Sequence, residues 1–173
     1  MNIIAEGRHV RLVHRNGWEY AERVGVSGVV LIVAVNEDRE LILVEQHRPP
    51  VDTSVIELPA GLAGDIPGEE DEALSRAASR ELVEETGYEA TEIKWLADAP
   101  PTAGMCSETA TYFHATGLRR VGPGGGDDSE DITVHHVPLT SLRSWLKERQ
   151  EEGRLVATSV FAGLFLAGIG CNE

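Results

Sequence analysis

The chain has 173 residues, 42% apolar and 25% charged, which suits a single globular domain whose core needs no disulfide staples. Its net charge of −14 argues against sequence-independent nucleic-acid binding, which relies on basic surface. The longest apolar runs, residues 29–35 and 160–169, fall short of the ~20 residues a membrane helix needs, so no membrane partner is expected. The N-terminus lacks the charged-then-apolar order of a signal peptide. Cys106 and Cys171 form neither a framework nor a metal spacing, so free thiols in a reducing cytoplasm are expected.

In chain order, V-S-G-V-V-L-I-V-A-V (26–35) is a continuous apolar run, as in a strand covered on both faces. Asn36–Arg39 is a polar turn and E-L-I-L-V-E-Q a second strand, which together predict a hairpin ended by Pro49 and Pro50. A short strand at 55–58 precedes a loop rich in glycine and proline. A helix is expected from Glu70–Glu72, where acids favour the positive end of the dipole, to Gly87, a good C-terminal cap. Further strands are expected at 92–97, 110–117 and 131–137, with helices at 141–153 and 158–168. The stretch G-P-G-G-G-D-D (122–128) reads as a flexible loop. No Gly-Lys-Ser/Thr follows it, which excludes a P-loop. Interspersed strands and helices predict a layered α/β sandwich.

Charge is uneven. Residues 57–92 hold eleven acidic and two basic residues. On a helical wheel Ala73, Leu74, Ala77, Ala78 and Leu82 share one half with Glu81, Glu84 and Glu85, while Ser75, Arg76, Ser79 and Arg80 take the other. A solvated charge face would lie opposite the alanines. Arg80 can reach Glu84 at i+4, which leaves Glu81 and Glu85 without a local partner on this reading. Carboxylates turned toward protein are costly unless paired or bound to metal, so a hard divalent cation such as Mg²⁺ is expected among them.

R-E-L-V-E-E-T-G-Y (80–88) resembles the second half of the Nudix box, with Glu72 standing where the box expects its first glutamate. The V-E-Q-H-R-P-P (44–50) and E-L-P-A-G-L (57–62) stretches are similar to the segments preceding the box in the ADP-ribose pyrophosphatase and nucleoside diphosphate sugar hydrolase branch. G-W-E (17–19) and G-M-C-S-E (104–108) resemble further segments of that branch. The resemblance implies a Nudix α/β/α sandwich with a mixed sheet, spanning residues 1–173 as one domain.

It also implies Mg²⁺-dependent hydrolysis of the pyrophosphate bond in a small nucleotide substrate, ADP-ribose or another nucleoside diphosphate sugar such as GDP-mannose, with Mn²⁺ as a possible substitute. Glu81, Glu85 and the main chain of Ala60 are implied metal ligands, with Glu84 close by. Arg80, Glu72, Gly61 and Gly87 are implied box residues, the first two as an ion pair. Arg48 is implied in a phosphate or ribose contact and Trp18 in base stacking. Glu130, with Glu108 second, is the candidate for orienting the attacking water, and Glu108 is also a candidate substrate contact. The branch further implies a homodimer in which N-terminal strands, about 1–25, cross to the partner.

Two departures accompany this resemblance. The loop from Gly61 to Arg80 is longer than the box pattern, so its glutamate aligns as Glu69, Glu70 or Glu72. Ala103-Gly104 stands where the ADP-ribose branch has Pro-Gly. A Nudix-like module that binds a nucleotide without cleaving it is the alternative from another class. Such modules lose box carboxylates, and this chain keeps them.

Overall fold

The computed structural model describes residues 1–126 and 131–170. Three strands, β1 (Asn2–Glu6), β2 (Val10–Arg15) and β3 (Trp18–Arg23), form an antiparallel meander at the N-terminus. Two mixed four-stranded sheets follow. One runs β7 (Ala60–Ala63), β4 (Gly28–Ala34), β9 (Ala110–Arg120), β8 (Tyr88–Ala99). The other runs β10 (Thr133–Pro138), β5 (Glu40–Arg48), β6 (Thr53–Glu57), β11 (Leu155–Val156). Helix α1 (Leu74–Thr86) packs with one core; α2 (Leu142–Glu151) and α3 (Thr158–Leu166) pack with the other.

The period-two geometry of a strand explains how β4 serves both cores. Val30, Ile32 and Ala34 join Ala77, Ala78 and Leu82 of α1, whereas Val33, with Val29 and Leu31 beside it, faces the cluster holding Val160 and Leu164 of α3. On β5, Ile42 goes to the α1 side and Leu41 and Leu43 to the other. The result is an α/β/α sandwich. Alanines at 77 and 78 keep α1 close to the sheet, and this fixes where its glutamates emerge.

Three expectations are corrected here. β4 and β5 do not form a hairpin: β4 pairs with β7 and β9, β5 with β6 and β10, and the turn at 36–39 crosses between sheets. Only Val35 and Leu41 bridge. Two apolar strands joined by a tight turn bury more surface by entering separate sheets, each covered by its own helices. Second, α1 begins at Leu74, and no acid occupies its first turn. Residues 66–72 instead make turns, with Glu72 N–H donating to the Glu69 carbonyl at 2.9 Å. Third, the glycine- and proline-rich loop contains a strand, β7, antiparallel to β4. Among the described residues no helix is long and apolar enough to cross a membrane.

Candidate active site

The C-terminal half of α1, β7 and the loop 64–73 converge on one charged cluster. Glu85 is 3% exposed, and its Oε2 accepts the Ala60 N–H at 2.9 Å. Glu81 lies against Gly61. A Cβ at Gly61 would sit 1.8 Å from Glu81 Cδ, so only a residue without a side chain leaves that carboxylate its place. Burial pushes the Glu81 carboxyl up to about 7 against the pull of Arg80, and Glu84 adds to the rise.

Arg80 is the hub. Its Nη1 donates to Glu81 Oε1 at 2.8 Å and to Glu84 Oε2 at 3.0 Å. Its Nη2 donates to the Leu62 carbonyl at 2.9 Å and to Glu72 Oε2 at 3.3 Å, with Asp65 at 3.7 Å. Burial works against its charge, but Glu72, Glu81 and Glu84 hold the guanidinium above its ordinary range. Of the three glutamates that could align in the long loop, Glu72 is the one at Arg80. Glu69 pairs with Arg76 at 2.8 Å, and Glu70 accepts the Gly68 N–H at 3.0 Å.

These contacts correct the wheel in two respects. Glu81 has a local partner in Arg80, because a long arginine crosses the helix surface that the wheel assigns to its Cβ, and Glu85 is held from another element by the Ala60 N–H. Glu84 does not turn into the protein. Its side chain is 50% exposed, since an angle on the wheel fixes direction and not depth. Gly87, at φ 73°, ends α1 in the left-handed conformation and donates its N–H to the Val83 carbonyl.

The remaining candidates form their contacts elsewhere. Arg48 Nε donates to Glu57 Oε2 at 2.7 Å, beside the strand that leads into Ala60. Glu108 pairs with Arg23 of β3. Trp18 is 64% exposed and lines a cavity of about 400 Å³ with Arg15, Tyr20, Gly104 and Cys106. Glu130 lies outside the described residues.

Sequence reasoning passed over Arg23 and Glu57 as the partners of Glu108 and Arg48, since neither pair has a sequence spacing to betray it. It also misread residues 122–126, which are held rather than free: the Gly125 N–H donates to the Glu85 carbonyl at 2.7 Å and the Gly126 N–H to the Glu84 carbonyl at 3.1 Å.

A NUDIX domain model matches residues 26–158. The chain belongs to the Nudix family. It is 31% identical over 130 residues to a methanol dehydrogenase activator from Bacillus methanolicus, an alignment covering 75% of this chain and 68% of that one. It is 33% identical over 138 residues to an ADP-ribose pyrophosphatase from Mycobacterium tuberculosis (79% of this chain, 63% of that one). A GDP-mannose pyrophosphatase from Citrobacter koseri is 30% identical over 148 residues, covering 81% of this chain and 70% of that one. The solved structure of an ADP compounds hydrolase superposes with a TM-score of 0.67, covers 96% of this chain and 89% of its own, and shares 22% identity, which bears on the fold. Two of these relatives are named as pyrophosphatases.

Proposed function

We propose that this Nudix hydrolase cleaves the pyrophosphate bond of a nucleoside diphosphate sugar, with Mg²⁺ as its cofactor. ADP-ribose would yield AMP and ribose 5-phosphate. The observation that carries this reading is the pair of shielded carboxylates, Glu81 and Glu85, held against Gly61 and Ala60.

An all-oxygen donor set of this kind suits a hard divalent cation. Among the described residues no three acidic, histidine or cysteine side chains converge on one point; Arg80 donates to Glu81 and Glu84, and the Ala60 N–H donates to Glu85. The guanidinium stands where neutralising charge is needed. Glu81, Glu85 and the main chain of Ala60 would hold the ion, with Glu84 at the solvent side. When bound, such an ion neutralises diphosphate charge and makes water more acidic. Arg48 would engage a phosphate or ribose, Trp18 a base, and Glu108 the substrate or its water. Mn²⁺ would substitute for Mg²⁺.

GDP-mannose is the second substrate, favoured by the Citrobacter koseri relative and by Ala103 in place of proline. A homodimer built through the N-terminal strands belongs to the same reading. It is supported by the exposure of Ile3, Ile4, Val10 and Leu12 there.

The test is direct. Incubate the protein with ADP-ribose, GDP-mannose and other nucleotide sugars plus Mg²⁺ or Mn²⁺, and follow nucleoside monophosphate release. Release from at least one of them is expected. Tight binding with no release from any would replace the enzyme by a nucleotide sensor.

A pH dependence follows from Glu81. The ion needs the ionised carboxylate, whereas the metal-free protein holds its proton up to about pH 7. Mg²⁺ affinity should therefore fall as pH drops below 7, by up to about tenfold per unit for one displaced proton, and level off above it. Calorimetry in buffers of different ionisation enthalpy would count that proton. Affinity flat between pH 5.5 and 8 would remove Glu81 from the ligand set.

A further inference from the structure

Helix α1 ends in a second cap that its own sequence does not supply. Gly87 already satisfies the Val83 carbonyl. The carbonyls of Glu84 and Glu85, which a helix end leaves without intrahelical donors, receive N–H groups from Gly126 and Gly125, about forty residues downstream. The traffic runs both ways: the Gly87 carbonyl accepts the N–H groups of Val121 at 2.7 Å and Gly122 at 3.1 Å.

The fit depends on missing side chains. A Cβ on Gly124, at φ 73°, would lie 2.5 Å from the Thr86 carbonyl carbon and 2.7 Å from the Glu85 oxygen, both backbone atoms with nowhere to go. Gly122 differs. A Cβ there would meet nothing within 4 Å.

We propose that the segment Gly124–Gly126 is a positioning element for the carboxylates of α1, with Gly124 as its contact point. The proposal rests on the metal-binding reading above. Peptide planes at Glu84 and Glu85 fix the direction of each Cα–Cβ bond, and two N–H donors hold those planes from outside the helix. The same donors offset the negative end of the helix dipole where three glutamates gather. Supporting contacts of this kind around a metal site change affinity or activity about 10–100-fold when lost.

Titrate wild type, Gly124→Ala and Gly122→Ala with Mg²⁺ by calorimetry, and measure kcat and KM for whichever nucleotide sugar wild type cleaves. Gly124→Ala should weaken Mg²⁺ binding at least about tenfold and lower kcat more than it raises KM, with Gly122→Ala within about twofold of wild type. A folded Gly124→Ala protein with wild-type Mg²⁺ affinity and kcat overturns the proposal, as do equal losses in Gly122→Ala. If Gly124→Ala does not fold, wild type decides the matter by nuclear magnetic resonance. The Gly125 and Gly126 amides should exchange slowly and shift on Mg²⁺ addition, and amides that do neither overturn the proposal. Wild type that takes up no Mg²⁺ brings down the metal reading itself and the loop's role with it; wild-type uptake that survives Gly124→Ala unchanged brings down the loop's role alone.

Discussion

Glu85→Gln is expected to cut kcat/KM by about 10²–10³-fold, the range typical for removing one electrostatic group from a preorganised site. The substitution keeps shape and volume. Glutamine can still present an oxygen to the Ala60 N–H, so the bond recorded at 2.9 Å has a replacement and the helix keeps its seat. What disappears is a negative charge in a position only 3% exposed, where neighbouring water cannot compensate. Ser79→Ala, on the exposed face of the same helix, should leave activity unchanged within about twofold, since surface changes away from special features move little. Steady-state kinetics beside a melting curve separates chemistry from folding. Unaltered turnover in a well-folded Glu85→Gln protein would exclude that carboxylate from the reaction.

Arg80→Met should destabilise the metal-free protein by about 3 kcal/mol or more, the cost of breaking a buried ion pair by removing one partner. Its Glu72 partner has a side chain only 1% exposed, so the carboxylate would stay in a poorly solvated place with its charge uncompensated. Glu81 and Glu84 would lose their nearest cation together. The Leu62 carbonyl would lose a donor that ties β7 to the helix. Methionine retains much of the apolar stem, so the loss reads charge and hydrogen bonding rather than volume. Replacing both partners, Arg80→Met with Glu72→Leu, should return part of the stability. Urea unfolding in the presence of a chelator measures each step. A cost below about 0.5 kcal/mol for the single change would mean that the hub is ornamental to folding.

The parts of this structure that were legible in the sequence are those governed by neighbours along the chain. The apolar run before Asn36 does make a strand with both faces covered, and Gly87 does end the helix where a left-handed residue is cheapest. Family motifs in 80–88 belong to this local class too. What escaped depends on distant partners. Nothing in Val26–Val35 records that its neighbour in the sheet is residue 110 onward rather than residue 40 onward. The four residues of β7 are too few, and too rich in glycine and alanine, to show a strand pattern. Arg80 misled because a wheel locates the base of a side chain, whereas this one works at its tip. Residues 122–126 look like slack chain by composition, yet Gly124 is what a crowded approach to a helix end demands.

The parallel seam between β4 and β9 has a bearing on how the molecule comes into being. Val29 and Ala110 lie side by side although about eighty positions separate them. Such a closure is entropically slow, and nothing local can stand in for it. During synthesis, then, the platform beneath α1 stays unfinished until the ribosome has released the chain well past its middle. The acidic helix would be made early and assembled late, and chaperone demand should peak in that interval.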